Sequence, residues 1–388
     1  MDLRCSSEVA GACAATGDVA REVRTFTEVM GARAANGYSF SAAAGPLPPA
    51  VVEEVAGACR AWRDAGSILS LPFTAPAYRE LQDETEACLR RLLAIPDRFR
   101  VLFLHGGATT QFAAVPLNLM GTRRGAAYVN TGHWSRRALG EALRYGDARL
   151  AAGAAGQVPD PARWRIAPDA AYCHITTNET ADGVQYPELP GVAVPLVADM
   201  TSDLLTRPLD FSRLALAYAG GQKSLGAAGL TVVIVREDLL GHARPDTPRV
   251  LDYTAQADAA SRVNTPPVFA MLVAHRMLHW VEGAGGVAAM AAAVARRSAA
   301  VYEAIERSGD FYRADVDPRF RSRVNPCFRL ANEALTGHFL QEAEQAGLRD
   351  LRGHPLVGGV RVSLYNGLPE QAVGALTAFL DVFRRAHG

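Results

Sequence analysis

The sequence predicts an α/β protein: a large domain on a mainly parallel sheet, then a smaller C-terminal α/β domain. Its 388 residues exceed one domain of about 100–200 residues and suit two unequal ones. Through the middle of the chain short apolar runs alternate with amphipathic stretches, as when parallel strands are joined by covering helices. From about Gly286 the texture changes to an alanine-rich helix and then to short mixed segments.

Residues 1–37 carry no usable motif and are expected to form an N-terminal extension, either a flexible arm or a surface helix. The large domain is assigned to 38–285. Strands are expected at Val101–Leu104, Ala127–Asn130, Tyr172–Ile175, Val194–Ala198, Leu214–Tyr218 and Leu230–Val235, with helices at Thr110–Met120 and Ser135–Tyr145. The small domain, 286–388, opens on the helix Val287–Glu306. It continues through Val316–Leu330, Gly358–Leu364 and Gln371–Ala386.

Forty basic and forty acidic residues leave no net charge, so nothing global points to nucleic acid or an anionic membrane. A small-molecule partner is expected. Asp2, Arg4, Glu8 and Asp18 interrupt any apolar leader, and no segment reaches the roughly 20 apolar residues of a membrane span. Six dispersed cysteines without CxxC spacing suggest neither a disulfide framework nor a zinc site. A cytoplasmic protein with free thiols is the expectation.

One compositional fact bears on chemistry: the 40 basic residues include a single lysine, Lys223. Arginine serves surface charge as well, but only a lysine amine readily loses its proton and condenses with an aldehyde. A bias toward arginine could also leave one lysine behind. Asp199 follows the apolar run Val194–Ala198, at the carboxyl end of an expected strand, where α/β sheets bind ligands. An aspartate there also serves as a turn or helix cap. Residues 102–112 read as strand, Gly106-Gly107 turn and helix, offering free N–H groups to a phosphate or simply making a tight turn. Trp134 could stack on a flat ring or pack in the core. Together these are the four parts that pyridoxal phosphate requires: an imine-forming lysine, an acid for the ring nitrogen, a flat cover and a phosphate cradle.

The order and texture of the blocks are more specific than any one of them. Ala198-Asp-Met-Thr-Ser-Asp203, Tyr218-Ala-Gly-Gly-Gln-Lys223, the run Gly229 to Asp238, and Val263-Asn-Thr-Pro-Pro267 closely resemble phosphoserine aminotransferases. The likeness extends from near Tyr38 to the C-terminus. It implies fold type I of the pyridoxal 5'-phosphate-dependent transferases, with a mainly parallel seven-stranded sheet in the large domain. By the resemblance Lys223 is the Schiff-base lysine and Asp199 the partner of the pyridine nitrogen. Trp134 is the stacking ring and Thr180 lies beside the cofactor. Ala108, Thr109 and Gln222 belong to the phosphate site. Asn264 and Thr265 are implied to reach a neighbouring subunit's phosphate, hence a homodimer with active sites at the interface. Arg361 matches the arginine that grips the substrate α-carboxylate, and the segment 38–48, with Ala42, contributes to the substrate site.

Three positions depart from the family. Its His-Arg pair falls at Phe73 and Thr74, its Gly-His-Arg reads Gly353-His354-Pro355, and its Ser-Ala-Gly-Pro signature becomes Ser41-Ala-Ala-Ala-Gly-Pro46. His354 survives and Arg79 is a candidate replacement cation. Each lost charge-assisted bond to an anion costs on the order of 1.5–3 kcal/mol. The expectation is transamination between amino acids and 2-oxo acids with altered specificity. Authentic phosphoserine transamination, another pyridoxal-phosphate reaction (β-elimination, β-replacement, decarboxylation or carbon–carbon bond formation) and a non-catalytic cofactor-binding protein are the alternatives.

Overall fold

The structure, a computed structural model, describes residues 37–63, 66–121 and 125–388; the expected extension at 1–37 lies almost wholly outside them. Seven strands form the central sheet: β1 (Phe99–Leu104), β2 (Ala126–Asn130), β3 (Ala148–Gly153), β4 (Cys173–Thr176), β5 (Leu196–Asp199), β6 (Leu216–Gly220) and β7 (Thr231–Arg236). Their spatial order is β1-β7-β6-β5-β4-β2-β3. Only β7 runs against its neighbours, so the other six strands end at one common edge. The six expected strands all form, each within about two residues of its expected bounds. The seventh, β3, reads Ala-Arg-Leu-Ala-Ala-Gly and lies at the sheet's margin with Arg149 and Leu150 exposed, so it lacks the apolar run that marks a buried strand.

Helices cover both faces: α1 (Pro49–Arg60), α2 (Pro76–Leu93), α3 (Gly107–Leu119), α4 (His133–Ala142), α5 (Tyr253–Asp258), α6 (Val268–Gly283), α7 (Gly286–Arg307), α8 (Thr336–Gln345) and α9 (Glu370–His387). One face of the sheet packs against α2 and α6 in a core that includes Leu89, Phe99, Ile175, Leu196 and Leu278. The other packs under α3 and α4, with Phe112, Tyr128, Tyr172 and Tyr218 buried there. On that face the Tyr128 and Tyr172 hydroxyls hydrogen-bond at 2.6 Å, and His174 Nε2 meets the Tyr218 hydroxyl at 2.8 Å. Burial pushes the His174 imidazole down to about 3, so it is neutral.

Between α6 and α7 the chain bends by 83° at Gly285, whose φ of +99° is left-handed and costs a glycine little. Val287 packs in the sheet core, whereas Val301, Ala304 and Ile305 pack in a second core. That second core joins α7, α8 and α9 to a three-stranded antiparallel sheet, β8 (Tyr312–Arg313), β9 (Cys327–Leu330) and β10 (Val360–Arg361). Tyr38–Ser39 pairs in parallel with Leu348–Arg349, which carries the following residues across to the central sheet. Among the described residues no single helix is long and apolar enough to cross a membrane.

Candidate active site

At the shared edge where the parallel strands end, a cavity of about 400 Å³ opens between the two cores. Ligands of α/β proteins bind at this edge, because strand ends and helix N-termini converge there. The register sets Thr176, the last residue of β4, beside Asp199, the last of β5. Lys223 follows β6 by three residues. Thr176, Asp199 and Lys223 all line the cavity and are at most 8% exposed.

Asp199 Oδ1 accepts a hydrogen bond from Thr201 N at 2.9 Å. Burial nevertheless pushes its carboxyl above the usual range, more than the Thr201 bonds and the Lys223 charge pull it down. Burial also pushes the Lys223 amine down to about 8, against the pull of Asp199. Lys223 Nζ has no hydrogen-bond or ion-pair partner among the described residues; it lies 6.0 Å from the Tyr365 ring centroid. A buried carboxylate and a buried amine thus share one cavity without neutralising each other in a direct pair.

Trp134 is held by the start of its own helix. The Glu179 carboxylate accepts from Trp134 N and Ser135 N, both at 2.8 Å, and Asp182 accepts from His133 N at 2.8 Å. These acids fill the orphan donors of the first turn of α4. A side chain at Gly132 would collide with both of them. Burial raises Glu179 to about 7 despite those amides. The indole Nε1 then donates to Thr180 Oγ1 at 2.9 Å, which fixes the ring at the cavity wall.

Opposite, α3 starts from Gly106 at φ +94°, where any side chain would overlap Thr110. The turn presents Gly106 to Thr109 to the cavity, next to Gln222. Gly107 N donates to Thr231 Oγ1 at 2.7 Å, so the Ala108 and Thr109 amides at the positive end of the helix remain to hold an anion.

The mouth is assembled from distant segments. Arg361, at the end of β10, donates through Nη1 to the Thr180 carbonyl at 3.0 Å, while its buried Nε has no partner among the described residues. His354 lies against His133 with ring centroids 4.3 Å apart. Burial and neighbouring positive charge hold both imidazoles below their ordinary range. Ala42 and Ala43 close the cavity from the N-terminal side. There Gly45 N bonds the Gln222 carbonyl at 2.9 Å and the Tyr365 hydroxyl bonds the Ala42 carbonyl at 2.9 Å.

Of the residues singled out from the sequence, Ala42, Ala108, Thr109, Trp134, Thr180, Asp199, Gln222, Lys223, His354 and Arg361 line this one cavity. Thr74, Asn264 and Thr265 do not. Thr74 is exposed and its carbonyl accepts from Arg79 Nη2 at 3.3 Å. Asn264 and Thr265 are exposed, with the Thr265 carbonyl 2.7 Å from His105 Nε2. Sequence reasoning did not single out Thr176, Asn178, Thr201 or Ser202, which also line the cavity. Their signal was positional: Thr176 ends a strand as Asp199 does, and Thr201 and Ser202 follow that aspartate.

A lysine and an aspartate at adjacent strand ends, a tryptophan wall and a glycine turn at a helix N-terminus define a pyridoxal-phosphate-dependent transferase of fold type I. The residues fit that cofactor: an amine unpaired among the described residues, a buried acid, a flat indole and free amides converge on one space large enough for it. Comparison with known proteins agrees. The family model for aminotransferase class V matches residues 37–376. The chain is 46% identical over 356 residues to a phosphoserine aminotransferase of Laribacter hongkongensis, covering 90% of this chain and 99% of that one. It is 44% identical to one of Acidithiobacillus ferrooxidans, again over 90% and 99%. Among solved structures, the phosphoserine aminotransferase of Bacillus circulans subsp. alkalophilus superposes with a TM-score of 0.88 at 38% identity, covering 92% of this chain and 100% of that one. The pyridoxal-phosphate-bound enzyme of Trichomonas vaginalis gives 0.86 at 34% identity, covering 89% and 99%. The chain belongs to the phosphoserine aminotransferase family of class V aminotransferases, and is a pyridoxal-phosphate-dependent transaminase acting between amino acids and 2-oxo acids.

Proposed function

We propose that Lys223 bonds the cofactor and moves the reacting proton, and that the substrate pocket favours amino acids whose side chains are less anionic than phosphoserine. Bound in this cavity, pyridoxal phosphate supplies an aldehyde that bonds amines and a protonated ring that withdraws electrons from a substrate α-carbon. Asp199 holds the proton on the ring nitrogen. The Trp134 indole sets the ring plane, and the amides of Ala108 and Thr109, with Gln222, hold the phosphate end. Arg361 binds the substrate α-carboxylate through the part of its fork that the Thr180 carbonyl leaves free. Once released by substrate, the Lys223 amine takes the α-carbon proton and returns it, base first and acid second. An amine whose affinity for protons is already lowered to about 8 suits both directions.

The single observation that carries the specificity reading is the mouth's charge. Among the described residues Arg361 is the one arginine lining the cavity, and the His354 imidazole near it and the His133 ring against His354 are both held toward neutrality. Phe73 packs on the sheet core rather than standing in for a cation. The shared name of the relatives favours a second reading, phosphoserine itself as donor, and Arg137 supports it by placing a guanidinium 5.3 Å over the Trp134 ring. A panel of amino donors, phosphoserine and glutamate included, separates the two when scored by conversion of the bound cofactor to its amine form in absorbance. Preference for unphosphorylated donors by tenfold or more supports the first reading; preference for phosphoserine establishes the second. We also infer a homodimer in which Asn264 and Thr265, exposed and outside the cavity of their own chain, serve the partner's site. Sedimentation of the holoenzyme as a monomer would remove that inference.

A further inference from the structure

A second cavity, about 120 Å³, lies where the sheet core meets α7 and the loop before β9. Among the described residues four arginines line it, Arg207 from the sheet side and Arg319, Arg321 and Arg323 from the loop, and no carboxylate does. Arg207 is only 17% exposed; its Nη1 donates to the Tyr186 carbonyl at 2.6 Å, and its Nη2 lies 3.1 Å from Asp203 without a well-directed hydrogen bond. Arg321, 16% exposed, is tethered to Glu306 at 2.6 Å, and Arg319 to Asp317 at 2.7 Å. The Arg323 guanidinium has no hydrogen-bond or ion-pair partner among the described residues, although its backbone N donates to Gln185 Oε1 at 2.9 Å. Four guanidiniums against three carboxylates, all three outside the lining, leave one positive charge over. Planar forks preset around a small space are the usual recognition of a tetrahedral oxyanion.

Two hydrogen-bond routes join this cavity to the catalytic one. Gln185 Nε2 donates to Asp203 Oδ2 at 3.2 Å, and Asp203 Oδ1 accepts from Thr177, whose hydroxyl also reaches the Asp199 carbonyl at 3.0 Å. Ser322, between Arg321 and Arg323, donates to Asn178 Oδ1, and Asn178 lines the catalytic cavity. We propose that the arginine cavity binds a phosphate dianion, free or at the end of a small phosphorylated molecule, and that its occupancy shifts substrate affinity at the active site. The space holds one phosphate group with a short tail and is too small for a nucleotide.

The test is calorimetric titration of the holoenzyme, whose cofactor phosphate site is filled, with inorganic phosphate and separately with glycerol 3-phosphate. The variants are Arg323→Gln and Arg319→Gln/Arg323→Gln, both at exposed side chains and outside the catalytic cavity. Saturable binding in the wild type, weakened about tenfold or more in the variants, is the expected result. Tighter binding of glycerol 3-phosphate assigns the site to a phosphorylated molecule; equal or weaker binding assigns it to free phosphate. The amino-donor KM should change at least about twofold with phosphate in the wild type and not in the double variant. No saturable binding, equal affinity in wild type and double variant, or a KM indifferent to phosphate in the wild type overturns the proposal. Phosphate that competes with a phosphorylated donor in the catalytic cavity acts equally in the double variant, so the difference between wild type and double variant, not the wild-type signal alone, reads this second site.

Discussion

The inner wall of the catalytic cavity and its mouth are built differently. Thr176, Asp199 and Lys223 stand at or just beyond the ends of neighbouring strands, nearly buried, in positions that the sheet register dictates. A one-residue slip would turn Asp199 to the opposite face. Ala42, His354 and Arg361 come instead from segments far apart in the chain, brought together by loop packing and a short edge strand. Substitution at the mouth leaves the sheet alone, so the chemistry is held fixed while the recognition of side chains is free to vary.

That separation predicts a graded set of effects. Lys223→Ala should lower turnover by about a thousandfold or more if, as proposed, Lys223 is both the bond to cofactor and the acid–base group. Single-turnover absorbance with excess donor checks this, and borohydride should trap cofactor at position 223 only in the wild type. Asp199→Asn should cost about ten- to a hundredfold in turnover with donor KM nearly unchanged, the mark of an inner-wall group. Arg361→Gln should do the reverse, raising KM for every amino acid by about tenfold or more with a smaller loss in kcat. If Asp199→Asn moved KM and Arg361→Gln moved kcat, the division between wall and mouth would be lost. Pro355→Arg, at an exposed position beside His354, should raise kcat/KM for phosphoserine relative to its unphosphorylated analogue by about tenfold.

The same division governs what could be read without coordinates. The inner wall was legible because a strand end, a lone lysine and a glycine turn leave local marks. Lys223, Asp199 and Trp134 all line one cavity. The mouth was less so. That His133 pairs with His354, or that the 42–45 segment seats on the Gln222 carbonyl, depends on contacts between residues more than a hundred positions apart, which no local pattern records. Edge strand β3 escaped notice for a different reason: with one strand neighbour and exposed side chains it needs no apolar run. Glu179 shows a third limit. A buried acid that caps the helix of Trp134 reads in the sequence as one more surface carboxylate.

The smallest expected effect concerns proton linkage at Lys223. In cofactor-free protein its amine is held down at about 8 by burial, whereas in the unfolded chain it titrates near its ordinary value of about 10.4. Between those values the unfolded chain carries more of this proton than the folded one, so this residue makes the fold more stable as pH rises through the window. Below about 8 both states are charged and its burial is at its most unfavourable. Buried cysteines work the other way: burial raises Cys88 to about 11, so the folded chain keeps its thiol proton longer and loses stability above the ordinary thiol range. Neither curve alone is therefore diagnostic. The quantity to measure is the difference in urea midpoint between wild type and Lys223→Met at pH 7.5 and again at pH 9.5, both without cofactor. Lys223→Met should be the more stable protein at pH 7.5, with the gap narrowing at pH 9.5. A constant gap would mean that the amine is hydrated in the empty cavity, and that the inner wall excludes water only when the cofactor fills it.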